Sequence, residues 1–323
     1  MSAAALRRSE MMQQLSMGGM PPESSAGGAS RPRRKEAVAI DCGWGRLLFG
    51  QTFGEPQAIA AALLQEAPGE RDVAFYVEDP HVMLAAEPQA LFLDPSHTYR
   101  LDLSRPVGRK PSTRVAIEEA RPADEAAIRA LYRGRGMVPP REGFLAGQPP
   151  DCVDLLVARK PGATAGSGED ILGVVMGVDH DCAFDDPNGG SSLWALAVDP
   201  RITRPGVGLS LVLALAERFR ARGRRTMDLS VMHDNAEAIA LYEKLGFERV
   251  QVFCVKTRNA INQPLYVGPA EDTELNIYAR IIVDEARRRG INVEVVDAEN
   301  GYFTMTLGGR SITCRVSLGE PTT

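Results

Sequence analysis

The segment from Leu196 to Leu211, LAVDPRITRPGVGLSL, passes from an apolar run into a helix-like stretch through two glycines, Gly206 and Gly208, set one residue apart. Glycine has no Cβ, so the backbone there can come close to another molecule, and the first turn of a helix carries amide N–H groups with no intrahelical acceptor. A turn of this composition suits a phosphate. The backbone at Gly206, Val207, Gly208 and Leu209 would donate to the anion, the helix dipole adds favourable field, and Arg204 brings a cation. Two common phosphate loops do not fit the same residues. GxxxxGK[ST] requires a lysine that does not follow, and GxGxxG requires a third glycine where Leu211 stands.

A second segment, DNAEAIALYEKLGF from Asp234 to Phe247, reads as a short helix. Asp234 can cap it with Glu237 three residues on, and Gly246 ends it with Phe247 as the apolar lock. Asn235 serves equally as cap or as a ligand contact. Tyr242 offers a phenolic proton, although it also shares the helix with Leu241 and Leu245. A third segment, DHDCAFDDPNGG, collects Asp179, His180, Asp181, Asp185 and Asp186. A calcium loop counted from Asp179 fails, because its fifth, sixth and twelfth positions are Ala183, Phe184 and Gly190. Turn formation accounts for DDPNGG as it stands.

These segments need a frame to position them. RVAIEE alternates as a strand, and RPADEAAIRALY opens a helix with Asp124 near its start and Ala127, Ile128 and Leu131 on one face. DCVDLLVARK, DILGVVMGVDH and SSLWALAVD follow as strands. A helix then runs from about Gly206 to Arg222, with Leu211, Leu215 and Phe219 as its buried ridge and Gly223 as its stop. TMDLSVM is a further strand before the Asp234–Phe247 helix.

In this order, residues 114–255 resemble the GNAT superfamily of acetyl-CoA-dependent N-acyltransferases. LAVDPRITRPGVGLSL is similar to its strand and pyrophosphate loop, and NAEAIALYEKLGF to its N-x-x-A-x-x-L-Y-x-x-x-G-F segment. The loop departs from the family pattern at its first position, where Thr203 stands and the arginine is shifted to Arg204. The resemblance implies acetyl-CoA as cofactor, with the main chain of Leu196, Ala197 and Val198 against the pantetheine arm and the oxyanion. It further implies Arg204, Gly206, Val207, Gly208 and Leu209 on the diphosphate, Asn235 near the pantetheine, and Tyr242 as the acid that protonates the departing thiolate. Amide formation also needs the amine as free base, and His180 and Asp181 are the candidates for draining its proton through water.

Composition bounds the rest. The chain has 323 residues with a formal net charge of −5, which gives no bulk argument for nucleic acid. Its five cysteines are scattered without a CxxC pair, as expected of reduced thiols in a cytoplasmic protein. No apolar run approaches the roughly 18 to 20 residues of a membrane span, and no secretory h-region opens the chain. Residues 1–36, ending near the basic RPRRK, read as a tail; residues 37–103 as a small α/β unit without an assignable motif; residues 104–113 as a linker. From residue 256 onward a helix, TELNIYARIIVDEARRRG, with Leu275, Tyr278 and Ile282 on one stripe, precedes three alternating strands. This part resembles the opening of ATP-grasp ligases, and the whole chain is similar to the N-terminal part of the N-acetylglutaminylglutamine synthetase family, in which a GNAT domain is fused to such a ligase.

The expectation is therefore an α/β protein: a GNAT fold with a central mixed twisted sheet flanked by helices, a small N-terminal α/β unit, and a C-terminal partial ATP-grasp-like segment. The resemblance implies acetylation of the amine of glutamine or a glutaminyl dipeptide, in osmoprotectant synthesis. It names a small-molecule amine and a possible ligase domain or subunit as partners, and no nucleic acid, membrane or metal. The glycine-rich ATP loop and magnesium carboxylates of a ligase are not in this sequence, so ligase activity is not expected of it.

Overall fold

In the computed structural model, the described residues are 35–109, 111–112, 115–162, 171–201, 206–266, 275–298, 300–307 and 310–316. The fold is mixed α/β. Two sheets stack face to face, and each is covered on its outer face by two helices.

The first sheet is built from β1 (Ala39–Asp41), β2 (Arg46–Phe49), β3 (Val73–Val77) and β4 (Leu91–Leu93). Helix α1 (Pro56–Leu63) makes the crossover between parallel β2 and β3, and α2 (Pro80–Ala86) leads from β3 to β4. Both helices start on a proline, whose fixed φ and missing N–H suit the first helical position. Ile59, Leu63 and Met83 from these helices bury against Leu48, Ala74 and Leu91.

Strand β5 (Ser96–Asp102) leaves that sheet altogether. It enters the second sheet, whose other strands are β6 (Ala116–Glu119), β7 (Val153–Arg159), β8 (Ile171–Asp179), β9 (Gly190–Val198), β10 (Thr226–Met232) and β11 (Glu248–Val250). The order is β11-β5-β10-β9-β8-β7-β6. Helix α3 (Glu125–Gly134) follows β6, the short α4 (His180–Phe184) follows β8, and α5 (Val207–Ala221) and α6 (Ala236–Lys244) flank β10 in sequence. Strand β12 (Phe253–Thr257) then crosses back and lies between β3 and β4.

The exchange is reciprocal. The run β2-α1-β3-α2-β4 has the same element order as β9-α5-β10-α6-β11, each with a parallel pair joined by a helix and a closing strand of three residues. In each sheet the slot before that closing strand is filled by the strand that follows the other run, β12 in one and β5 in the other. Residues 96–102, read from sequence with the N-terminal unit, thus pair along their whole length with β10.

Glycines on β8 explain how closely α5 packs. A Cβ at Gly177 would lie 2.6 Å from Leu215 and 2.7 Å from Phe219, and one at Gly173 would lie 3.0 Å from Val207 and Leu211. With both side chains absent, the ridge Leu211, Leu215 and Phe219 seats on the strand and is fully buried.

Between the two sheets a buried polar group ties the halves together. Asp228 on β10, fully buried, accepts from Arg100 Nε and Nη2 (2.8 and 2.7 Å) and from Tyr76 Oη of β3 (2.7 Å). A buried carboxylate is tolerated only when it is paired and hydrogen-bonded in this way.

After β12, α7 (Gln263–Tyr266) is a single turn. A separate αβ unit follows, with α8 (Ile277–Arg288) over the antiparallel strands β13 (Asn292–Asp297), β14 (Tyr302–Leu307) and β15 (Arg310–Arg315). Of the stripe expected at Leu275, Tyr278 and Ile282, Leu275 is buried, but Tyr278 and Ile282 are 51% and 41% exposed, and Ala279, Val283 and Ala286 make the buried face of the helix. With Leu275, Ala279 and Val283 bury against Phe303. Among the described residues, no helix is long and apolar enough to cross a membrane.

Candidate active site

The parallel pair β9/β10 is zipped only from Gly190–Thr226 to Leu193–Leu229. Beyond that point the strands part, and the β10-facing main chain of β9 from Trp194 onward is released from the ladder. A crevice opens between Trp194–Val198 on one side and Ser230–Met232 on the other.

A bulge sits at the start of the crevice. Against β8, Val174 pairs with Ala197 and Met176 with Trp194, so Ala195 and Leu196 together face Val175. Ala195 takes φ +49°, a left-handed conformation, and its carbonyl accepts from the buried Tyr132 Oη at 2.9 Å. The extra residue slips the alternation by one. Leu193, Leu196 and Val198 consequently pack on the α5 side, while Trp194, Ala195 and Ala197 pack on the side of the first sheet. The sequence signal was the order Leu193, Trp194, Ala195, Leu196, in which large apolar residues fall out of strict alternation.

Helix α5 begins beside the far end of β9. Gly206 takes φ +93° as its N-cap, and Ser210 N closes the first turn on Gly206 O at 2.9 Å. Among the described residues, the amides of Val207, Gly208 and Leu209 have no acceptor. A Cβ at Gly208 would lie 3.6 Å from Val198 Cγ2 and 3.9 Å from Leu241 Cδ2, so this turn lies where β9 and α6 meet. The donors thus sit at one end of the crevice. Arg204, with Ile202, Thr203 and Pro205, lies outside the described residues.

Helix α6 lines the same end. Its cap is Asn235, whose Oδ1 accepts from Ala238 N at 3.2 Å; Asp234 lies one residue too early, because the first helical residue is Ala236. Tyr242 is 6% exposed and packs near Phe247, with ring centroids 5.5 Å apart, in the cluster that includes Leu193, Leu211 and Val231. Burial pushes its phenol well above the ordinary value, so it holds its proton at neutral pH. Among the described residues its hydroxyl has no hydrogen-bond partner.

His180 and Asp181 are placed elsewhere. Both belong to α4, beside the end of β9 and β10 where the strands are still paired. His180 is 1% exposed, its Nε2 lies 2.9 Å from Ser192 Oγ, and its ring packs against Phe49 at 4.8 Å. Burial, and then the charge of Arg100, lower its pKa to about 3. It has neither the access nor the basicity to collect a proton from an amine in the crevice. Asp181 is held by Arg224 Nη1 at 2.7 Å on the outer surface. The cause is the direction of β8, which delivers DHDCAF to the zipped end of the sheet. The neighbouring carboxylates serve the turn: Asp179 caps α4, and Asp186 accepts from Asn188 N and Gly190 N. No cluster of metal-ligating side chains occurs among the described residues.

The neutral state of His180 has a consequence for stability. A histidine whose folded pKa lies below its unfolded value of about 6.5 contributes fully above that pH and progressively less below it, down to about 3, at about 1.4 kcal/mol for each pH unit. Thermal unfolding between pH 6.5 and 4.5 will therefore steepen with acidity in the native chain, and a His180→Phe variant will show a shallower slope.

With this geometry in hand, residues 142–247 match the model of the acetyltransferase (GNAT) family. The chain is 42% identical over 62 residues to the [ribosomal protein bS18]-alanine N-acetyltransferase of Escherichia coli K12, covering 19% of this chain and 42% of that protein. It is 44% identical over 59 residues to a mycothiol acetyltransferase of Saccharomonospora viridis, covering 18% of this chain and 19% of that one. The chain thus spans less than half the length of these relatives. Among solved structures, a putative GNAT acetyltransferase from Novosphingobium aromaticivorans aligns with a TM-score of 0.43 at 17% identity, covering 68% of this chain and 90% of that one. The family match is confined to about a third of the chain, and the matched residues include Gly206 and Gly208, the crevice strands and Tyr242.

Proposed function

We propose that this chain acetylates the free amine of glutamine or of a glutaminyl dipeptide with acetyl-CoA, in the synthesis of N-acetylglutaminylglutamine, in the cytoplasm. The observation that carries acyl transfer is the helix start at Gly206–Leu209, with amides that have no acceptor among the described residues, at one end of the crevice. The glutaminyl acceptor, and a ligase domain or subunit as partner to the segment from residue 256, rest on the resemblance of the whole chain.

The residues present fit acetyl-CoA. Amides of Val207, Gly208 and Leu209 would hold its diphosphate, and the unpaired edge of Leu196–Val198 would hydrogen-bond its amide-rich arm. Bound acetyl-CoA supplies an activated thioester carbonyl. Released main-chain N–H groups at the Ala195 bulge would stabilise negative charge on that carbonyl oxygen, and one such donor contributes roughly 10²–10³-fold in rate. The amine nitrogen forms the new C–N bond as the C–S bond breaks. Tyr242, kept protonated by burial, would give its proton to the sulfur and recover one from water, which would take up the proton that the amine releases.

A mass-spectrometric screen of amino acids and dipeptides with acetyl-CoA tests the reading. Acetylated glutamine or glutaminyl dipeptide is expected; coenzyme A binding without acetylation of any amine would instead make the chain an acyl-CoA-binding module. In the same assay Tyr242→Phe, which removes one hydroxyl with no hydrogen-bond partner among the described residues, should fold normally and lose roughly 10²-fold or more in kcat. An unchanged kcat would remove Tyr242 from the chemistry.

A further inference from the structure

The inner face of the first sheet crosses the crevice from behind. Phe75 on β3 meets Trp194 edge-on at 5.1 Å, Trp44 lies 6.2 Å from the same indole, and Cys254 on β12 reaches Ser230 Oγ at 3.8 Å. Trp194 and Ser230 are the first residues past the parting of β9 and β10. Two residues beyond Cys254, and so on the same face of β12, stands Lys256, buried to 9% exposure. Its Nζ pairs with Asp94 Oδ2 at 2.7 Å, and Asp94 itself is 5% exposed.

The pair is incomplete. Asp94 Oδ1 is buried with no hydrogen-bond partner, and so is Arg71 Nε, whose guanidinium interacts electrostatically with Asp94 and Glu66. A third buried group, Trp44 Nε1, lacks an acceptor in the same inter-sheet layer. Leaving a buried donor or acceptor unmet costs about 1–3 kcal/mol, and more for a charged group. Three such groups behind one crevice are what a ligand with complementary charges would satisfy.

We propose that Asp94, Lys256 and Arg71 form the acceptor subsite, and that it takes an amine carrying its own carboxylate, an amino-acid zwitterion. Asp94 Oδ1 accepts from an N–H of the amino group, both before and after it loses its extra proton to water, and Arg71 with Lys256 holds the carboxylate. This rests on the acetyltransferase reading and extends it to residues of the first sheet. It also gives that sheet a task in specificity: an amine without a carboxylate leaves Arg71 unmet.

The test compares L-glutamine with 4-aminobutanamide, its counterpart lacking the carboxylate, in the full-length protein. Arg71→Met is the informative variant, because its guanidinium makes no hydrogen bond among the described residues and its loss should not unfold the chain. The ratio of kcat/KM for glutamine to that for 4-aminobutanamide is expected to fall about tenfold or more in Arg71→Met. A ratio within about twofold of the native value overturns the subsite. Thermal protection by each compound without acetyl-CoA gives a second arm. Glutamine should protect the native protein and 4-aminobutanamide should not, with protection reduced in Arg71→Met. If neither amine is acetylated but this pattern holds, the transferase reading fails and the pocket stands; acetylation with no carboxylate preference in either arm does the reverse.

Discussion

A chain cut to begin at Leu103 will not fold into a working acetyltransferase domain, although it retains every residue of the family match. The cut removes β5 from between β10 and β11, together with all seven of its register pairs with β10. It also strips Arg100 and Tyr76 from Asp228, leaving a fully buried carboxylate without either partner. Breaking a buried pair in that way costs about 3–5 kcal/mol, against a total stability of about 5–15 kcal/mol for an ordinary domain. The inner face of the second sheet would in addition lose Phe49, Phe75 and Trp44 from its core. Circular dichroism and gel filtration of the 103–323 product should show an expanded or aggregated species. A compact, cooperatively melting product would mean that the exchange of β5 is dispensable.

Gly208→Asp should separate folding from cofactor binding. A Cβ at this position meets Val198 and Leu241 at ordinary contact distances of 3.6 and 3.9 Å, and the residue lies in the first turn of α5. A carboxylate there interacts favourably with the helix dipole, by about 0.3–1 kcal/mol, so thermal stability should hold or rise slightly. The same charge would oppose a diphosphate at the neighbouring amides. Coenzyme A affinity, read by calorimetry, is expected to fall by roughly 100-fold or more, about 2.7 kcal/mol. Undiminished binding would place the diphosphate elsewhere.

Much of the site was legible because its signals are local. Gly206 marks the start of a helix, the ridge of Leu211, Leu215 and Phe219 marks the buried face of α5, and both hold in the fold, where Gly206 also proves to be left-handed. The DHDCAF cluster misled because sequence shows that His180 follows a strand but not at which end of the sheet that strand delivers it. Asp234 and Asn235 are equally good caps by residue type, and the choice fell to Asn235 when the helix started at Ala236.

By itself, the sequence determined the longer strands and helices between β6 and α6 and the glycine start of α5, since each depends on residues within a few positions of one another; the short α4, β11 and β12 were not legible in it. Tertiary structure alone decided that β5 and β12 change places between the sheets, that the Ala195 bulge carries Leu196 and Val198 to the α5 side, and that Asp94, Lys256 and Arg71 meet behind the crevice. The strand exchange and the Asp94–Lys256 pair join residues more than 100 positions apart, while the bulge depends on the nearer β8 and Tyr132, and the free energy that selects the exchange comes from burying Asp228 with its partners and closing the shared core between two sheets.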